Sequence, residues 1–400
     1  MGNLAGPGAT TLRPGTPEEV GMSAARVQHV LELGEEWVRE GVTPTMVLLV
    51  ARRGRIVLHQ AFGRLTPDPD SLATPLDALF PLASIGKLFT ATALMILVEE
   101  GRVGLNRPVA GYLPEFQGDG KDRVLVRHLL SHTSGIRDEN VNKYAEEHRG
   151  KIELPRAEKT LHPLLNEYFA LRYACPLWKP PGEEMSYSPY SYELLGEVVR
   201  RVSRATLDRF DRARIFQPLG MNDTFNCPID APPERRIRTA PDPAAIPSAM
   251  DLAHEHERLV WGSGGELSSA KDLAIFAQMF LNGGDYGAER VISPASVAAM
   301  TRNQIPGISA QWRMEVFPEA TWGLGWGVHG TKTGRCGGLY SPEAFEHGGA
   351  SGGSLWVDPP NEIVGVYLSS ARTSSFAPEW TESWRHDLFV DSVTAAIVDP

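Results

Sequence analysis

Ser84 and Lys87 lie three residues apart in FPLASIGKLFTATALMILVEEGR, residues 80–102. From Leu88 to Val98 this stretch is apolar on every side except at Thr90 and Thr92, the pattern of a helix buried all round, and Gly101 is placed to end it. Eleven residues are too few to cross a bilayer, so the helix belongs to a core. A lysine in the first turn of such a helix has no polar face to escape to. Burial and the positive end of the helix dipole both favour a neutral amine there. Residues three apart share a helix face, which puts the Ser84 hydroxyl within reach of that amine. A serine beside a neutral amine is an activated nucleophile with its base. The competing reading makes Ser84 a helix cap and Lys87 a lysine that snorkels to the surface.

The chain carries its own comparison for that competing reading. Ser268 and Lys271 repeat the spacing in GELSSAKDLAIFAQMFLNGG, residues 265–284. There the apolar face runs through Leu273, Phe276, Ala277, Phe280 and Leu281, and Lys271 falls roughly 200° from Leu273, on the solvent side. Ser269 and Asp272 have the spacing of a capping box, so this second match is expected to be structural.

A Ser/Lys pair also needs a proton relay to the leaving group and donors for the oxyanion. Tyr187, in PPGEEMSYSPYSYELLG (180–196), follows a Pro-Gly turn and precedes a helix, so it stands on a loop; a tyrosine so close to Tyr190 and Tyr192 can equally be packing. His347, Gly348, Gly349 and Ala350 lead into the strand SLWVD, where small residues let a substrate lie against the strand edge and let a backbone N–H face an oxyanion; a β-bulge is the plain alternative. The run GASGG (349–353) matches GxSxG, but a nucleophile elbow needs strand, turn and helix, whereas Ser351 is followed by strand, turn and strand. His254, Glu255 and His256 lack the HExxH spacing and read as surface residues, and His132 in LLSHTSG reads as fixing the turn after its helix.

These groups need a scaffold. Four hundred residues, 42% hydrophobic and 22% charged, supply ample core and suggest two lobes. With 39 basic and 49 acidic residues the net charge is -10, and the basic residues form no long run, so nucleic acid and anionic membranes are not expected partners. The first twenty residues lack the basic start and apolar core of a signal peptide, and Gly6 stands where a myristoylation signal wants Ser or Thr. Cys175, Cys227 and Cys336 are widely spaced, which suits a reducing, cytoplasmic setting and no metal site. The pattern predicts a helix capped by Ser23 with Val27, Val30, Leu31, Trp37 and Val38 on one face. It then predicts a hairpin from Thr45–Ala51 and Ile56–Phe62. Helices are predicted over 126–132, 160–173, 190–203 and 207–216, strands over 321–330, 354–358 and 363–369, and a last helix over about 380–398. Strands at both ends with helices between predict an α/β (α+β) fold. Residues 1–83 and 266–400 form one lobe and 84–265 an inserted, mostly helical lobe, with the site in the cleft. The Pro/Ala-rich segment 227–250 is too long for an ordinary connection and reads as a lid or an edge wrap.

With these residues in hand, the chain resembles serine β-lactamases and penicillin-binding proteins, and is most similar in pattern to the β-lactamase-like carboxylesterases of family VIII. The resemblance rests on SIGK at 84–87, LLSHTSG at 129–135, YSP at 187–189, GSGGELSSAKDLAIFAQMFLNGG at 262–284, GLGWGV at 323–328 and HGG at 347–349. It implies a two-lobed fold, an antiparallel sheet flanked by terminal helices, and no cofactor. It also implies Ser84 as acylated nucleophile, Lys87 as base, Tyr187 as relay, the N–H groups of Ser84 and Ala350 as oxyanion hole, and His347, Gly348 and Gly349 along the substrate strand. Two departures bear on substrate. The tyrosine motif of β-lactamases and peptidases usually ends in Asn, here Pro189, and their strand motif usually begins with Lys, here His347, mostly neutral near pH 7. Both favour a neutral ester, of short acyl chain by the resemblance alone, over an anionic lactam. The rival expectations are amide hydrolysis, as a β-lactamase, DD-peptidase or D-aminopeptidase, and a catalytically silent binding protein on the same fold.

Overall fold

The run TMVLLVAR (45–52) has no charged side chain before its last residue, so a strand made from it must be covered on both faces. A computed structural model of the protein, which describes residues 9–66, 68, 70–155, 161–238, 254–312, 315–330, 337–370 and 385–399, shows how. Seven strands form the main sheet among the described residues: β1 Arg13–Pro14, β2 Thr45–Arg52, β3 Arg55–Gly63, β4 Gly327–Val328, β5 Phe345–Gly348, β6 Ser354–Asp358 and β7 Ile363–Ser369. Their spatial order is β1-β3-β2-β7-β6-β5-β4, with β1 parallel to β3 and every other pairing antiparallel. Strands from both ends of the chain therefore share one sheet. Arg53 and Gly54, both at positive φ, make the tight turn of the predicted hairpin.

Successive side chains of β2 point to opposite faces. Met46, Leu48 and Val50 join one apolar cluster with Val27, Val30 and Trp37 of α1 (Ala24–Arg39) and with Phe389 and Val393 near the C-terminus. Val47, Leu49 and Ala51 join the other, larger cluster. That second cluster contains α2 (Lys87–Glu99), α3 (Pro189–Ser203) and α4 (Ala270–Leu281). Every residue of α2 from Lys87 to Leu97 is buried, and Phe89 makes edge-to-face contacts with Phe216 and Phe276 at ring distances of 5.0 and 4.9 Å. Gly101, at φ 69, ends the helix as expected.

The strands at 354–358 and 363–369 have the predicted bounds. The run 321–330 does not: only Gly327–Val328 is strand, because the glycines at 323, 325 and 327 turn the chain back so that Trp322 bridges to Gly327. Asp138–His148 is a helix that was not expected, and the helix predicted over 160–173 spans Pro163–Ala170, its residue 160 lying outside the described residues. The helix predicted over 380–398 is α5, His386–Thr394; residues 380–384, the second half of the 227–250 segment (239–250) and Cys336 lie outside the described residues.

Gly365 on β7 pairs with Trp356 on β6, and the indole lies over it so closely that a Cβ there would be 2.0 Å from the ring. We expect Gly365→Ala to lower stability by about 2–3 kcal/mol, since the buried Trp356 must leave its rotamer; urea unfolding of the two proteins measures it.

Candidate active site

Ser84 does not begin α2 itself. It lies in a single 3₁₀ turn, Ala83–Gly86, that runs into α2 at Lys87. Ala83, just before it, is held at φ 47, a left-handed conformation that costs a residue with a Cβ and persists only where the surroundings enforce it. The Ser84 hydroxyl is half-buried and the Lys87 side chain is 1% exposed. The Lys87 amine sits 3.0 Å from Ser84 Oγ and donates to the carbonyl of Ser263 at 2.7 Å. It lies over the rings of Tyr187 and Tyr192, 5.2 and 5.7 Å from their centroids.

Tyr187 is half-buried on the loop before α3, whose first turn is capped by the Ser188 hydroxyl and begins with Pro189, a residue suited to that position because its missing N–H has no helical partner to lose. His132 grips this loop at three points. Its carbonyl accepts from Ser186 N–H at 2.8 Å, its Nδ1 accepts from Ser188 N–H at 3.1 Å, and its ring packs on Tyr187 with centroids 4.3 Å apart. His132 itself stands at φ 56, so it does fix a turn, as expected, and it also holds the tyrosine loop. Full burial, with Lys87 and His347 nearby, keeps its imidazole neutral.

The strand residues arrive from the opposite side. His347 and Gly349 are buried, whereas Gly348 and Ala350 are exposed. Gly349 comes so near the nucleophile turn that a Cβ there would be 2.2 Å from the Leu82 carbonyl oxygen. The His347 ring lies 6.4 Å from Tyr187 and 5.6 Å from Trp322. Burial, followed by the Lys87 charge, lowers its pKa to about 3, so it is neutral across the physiological range. Ser84, Lys87, Tyr187 and the 347–350 strand end thus converge on one place.

The decoys separate from it. Lys271 is exposed, and the Ser269 hydroxyl caps α4 by accepting from Asp272 N–H at 3.3 Å. Only that half of the expected capping box forms, because the Asp272 carboxylate accepts instead from Asp223 N–H and the Thr224 hydroxyl. Ser351 lies in the turn between β5 and β6, with no helix following. His254 is not a surface residue: it is half-buried, its ring nitrogens 2.8 Å from the carbonyls of Leu259 and Gly265.

Two buried acids were missed by sequence reasoning. Glu193, on α3, accepts from the N–H groups of Gly262 and Ser263 at 2.9 and 3.2 Å. Glu266 is 1% exposed, its Oε2 has no hydrogen-bond partner among the described residues, and it lies where a Cβ on Gly86 would be, 1.7 Å away. Burial pushes their carboxyls up to about 7 and about 8, against the pull of Lys87. A signal was present, since Glu193 interrupts an otherwise apolar helix face; nothing in the sequence showed what it would meet.

A sheet covered on both faces, with a buried Ser-x-x-Lys turn wedged between a tyrosine loop and a glycine-bearing strand end, defines a serine hydrolase of the kind that includes β-lactamases and penicillin-binding proteins. The Beta-lactamase family model matches residues 28–387, and the chain belongs to that family. A relative from Salmonella agona, provisionally named a D-alanyl-D-alanine carboxypeptidase, is 28% identical over 92% of this chain and 87% of its own. In fold the chain is similar to a penicillin-binding protein homologue from Caulobacter crescentus, with a TM-score of 0.70 at 23% identity over 94% of this chain and 99% of the other. It is similar also to a family VIII carboxylesterase, at TM-score 0.67 and 21% identity over 94% of this chain and 99% of the other.

Glu266 makes stability depend on pH in a defined direction. Its carboxyl titrates near 4.3 in an unfolded chain and near 8 here, so between those values the native state holds the extra proton. The stability it contributes is complete below the unfolded value and is lost as pH rises through 8. Glu266→Gln lacks that loss and should gain on the wild type between pH 5 and 9 by on the order of 4 kcal/mol, measured as the change in the difference between their urea unfolding free energies. A difference that stays constant with pH would contradict the assignment.

Proposed function

We propose that the protein is a serine carboxylesterase that cleaves small, neutral, short-chain acyl esters through an acyl-enzyme on Ser84. The observation that carries this reading is the placement of the Lys87 amine: it donates to Ser263 O at 2.7 Å and lies 3.0 Å from Ser84 Oγ, so in its neutral form it is within reach to take the hydroxyl proton. As Oγ bonds to the ester carbon, that proton passes to Nζ; Tyr187, beside the amine, relays a proton to the departing alcohol, and water then releases the acid. The N–H groups of Ser84 and Ala350 are the oxyanion donors in this reading. No step draws on a cofactor.

The ester preference is supported by two features. His347, neutral through burial, offers no cation to a substrate carboxylate. Pro189 has no carboxamide to hold the amide arm of a lactam or peptide, and its place at the first position of α3 fits the ring for a structural reason. A second reading, amide hydrolysis on D-alanyl peptides, is favoured by the name its Salmonella relative carries. We place the enzyme in the cytoplasm, acting on a small molecule rather than on nucleic acid or membrane, on the strength of its net charge of -10 and its three widely spaced cysteines.

The test compares p-nitrophenyl butyrate, a chromogenic cephalosporin and a D-alanyl-D-alanine peptide side by side. Ester kcat/KM well above the other two is expected, with Ser84→Ala losing about 10³-fold or more and Ser351→Ala retaining most of the activity. Turnover of the peptide or lactam at or above that of the ester would transfer the assignment to amides, and survival of activity in Ser84→Ala would remove the nucleophile.

A further inference from the structure

The segment GSGGE, residues 262–266, wraps the nucleophile turn and is held from both sides. Thr90, one turn after Lys87, donates its hydroxyl to Gly262 O at 2.7 Å, and Lys87 donates to Ser263 O at 2.7 Å. On the opposite edge of the same two residues, one oxygen of Glu193 accepts from Gly262 N–H and the other from Ser263 N–H, the latter in the same peptide unit as the Gly262 carbonyl that Thr90 holds. Glu193 is 3% exposed and belongs to α3, the helix that follows the Tyr187 loop. The chain of contact is therefore Glu193 carboxylate, Gly262–Ser263 backbone, Lys87 amine and Ser84 hydroxyl.

An amine has four directions about nitrogen, one of them its bond to the side chain. A carbonyl oxygen only accepts, so the 2.7 Å contact with Ser263 commits one N–H of Lys87 in either protonation state. That commitment leaves one N–H and the lone pair of the neutral amine to share the remaining directions, and Ser84 Oγ, 3.0 Å away, lies along one of them. A peptide that turned or retreated would release the amine to other orientations, toward the Tyr187 and Tyr192 rings among others.

We propose that Glu193, together with Thr90, is a positioning residue for the base: by clamping the backbone at Gly262 and Ser263 it holds the Ser263 carbonyl against Lys87 and so keeps the amine turned toward Ser84. This rests on the reading of Ser84 and Lys87 as nucleophile and base, and on no particular substrate. It concerns geometry rather than titration. The charged and titratable groups around the amine come from every side: Glu193 on α3, Glu266 beside the turn, Asp138 from its own helix, and His132, His347 and Tyr187 from the loops and the strand end.

A fluorophosphonate probe separates positioning from folding. In the labelling step the Ser84 Oγ–P bond forms, fluoride leaves, and the hydroxyl proton passes to the Lys87 amine. The end-point counts competent sites, whereas the rate constant reports on the base. For Glu193→Gln, which keeps one acceptor and turns an amide NH₂ toward the other N–H, we expect the labelling rate and kcat for p-nitrophenyl butyrate to fall about 10- to 100-fold, with a full end-point and KM within about two-fold of wild type. Thr90→Val, which loosens the same peptide from its other edge, should lose about five-fold in the same two rates. It decides the matter if Glu193→Gln does not fold. Wild-type rates in both variants, or a loss confined to the end-point, would overturn the proposal. Labelling of wild type at Ser84 without ester turnover would count against the esterase reading alone, since the labelling rates still decide the role of Glu193. A wild-type enzyme that resists the probe at Ser84 would overturn both.

Discussion

A primary amine carried on a helix with no polar face is the constraint on which the rest of this structure depends. Taking Lys87 out of water costs several kcal/mol unless its hydrogens and lone pair find partners. The partners cannot come from α2, whose own carbonyls are engaged along the helix. They come from Ser84 in the preceding turn and from Ser263, a residue 176 positions further along the chain. One buried charge-bearing group therefore ties together the sheet-proximal turn at 83–86, the glycine segment at 262–266 and, through Glu193, the helix behind the tyrosine loop.

The electrostatics of the site follow from the same burial. Around Lys87 stand three carboxyls, Glu193, Glu266 and Asp138, whose proton affinities are all raised by desolvation, and two imidazoles, His132 and His347, whose affinities are lowered by it. Each shift moves its group toward the neutral form. A cleft lined in this way holds little net charge near pH 7, which suits a neutral substrate and makes each remaining dipole count for more than it would in water. Glu266 bears the cost most plainly, with a carboxyl oxygen that has no partner among the described residues and lies against Gly86. Such departures from local consistency are expected where a chain gives up stability for a working site.

Much of this was legible in the chain itself, for reasons that can be named. Short apolar runs rich in β-branched and aromatic residues at 354–358 and 363–369, and the unbroken apolar run at 46–51, are strong signals because each strand is buried on both faces. Ser84 and Lys87 were legible because three-residue spacing on a helix is a local geometry, and the second SxxK separated because Lys271 falls on a solvent face. The contacts of His254 and the roles of Glu193 and Glu266 were not, because they depend on backbone atoms brought from 60 or more residues away for Glu193. A sequence pattern lists side chains; it does not say which carbonyl or N–H a buried acid will meet. Residues 321–330 were misread for a related reason, their aromatic and β-branched residues suggesting a strand while Gly323, Gly325 and Gly327 set the backbone path.

Those glycines point to how the site is assembled. Gly264 stands at φ 137, where its missing Cβ would lie 2.1 Å from the Ala83 carbonyl oxygen, and Gly349 brings the strand end equally close to the Leu82 carbonyl from another direction. Leu82 N–H donates to Glu266 O at 2.8 Å, completing a backbone ring around the turn. Two main-chain segments thus press on the two peptides just before Ser84, and this is what keeps Ala83 in its left-handed conformation. Side chains hop between rotamers, but backbone packed on backbone does not, so a serine placed this way is aimed more narrowly than one held by polar side chains. Any residue larger than glycine at either contact would move the nucleophile before it touched the substrate.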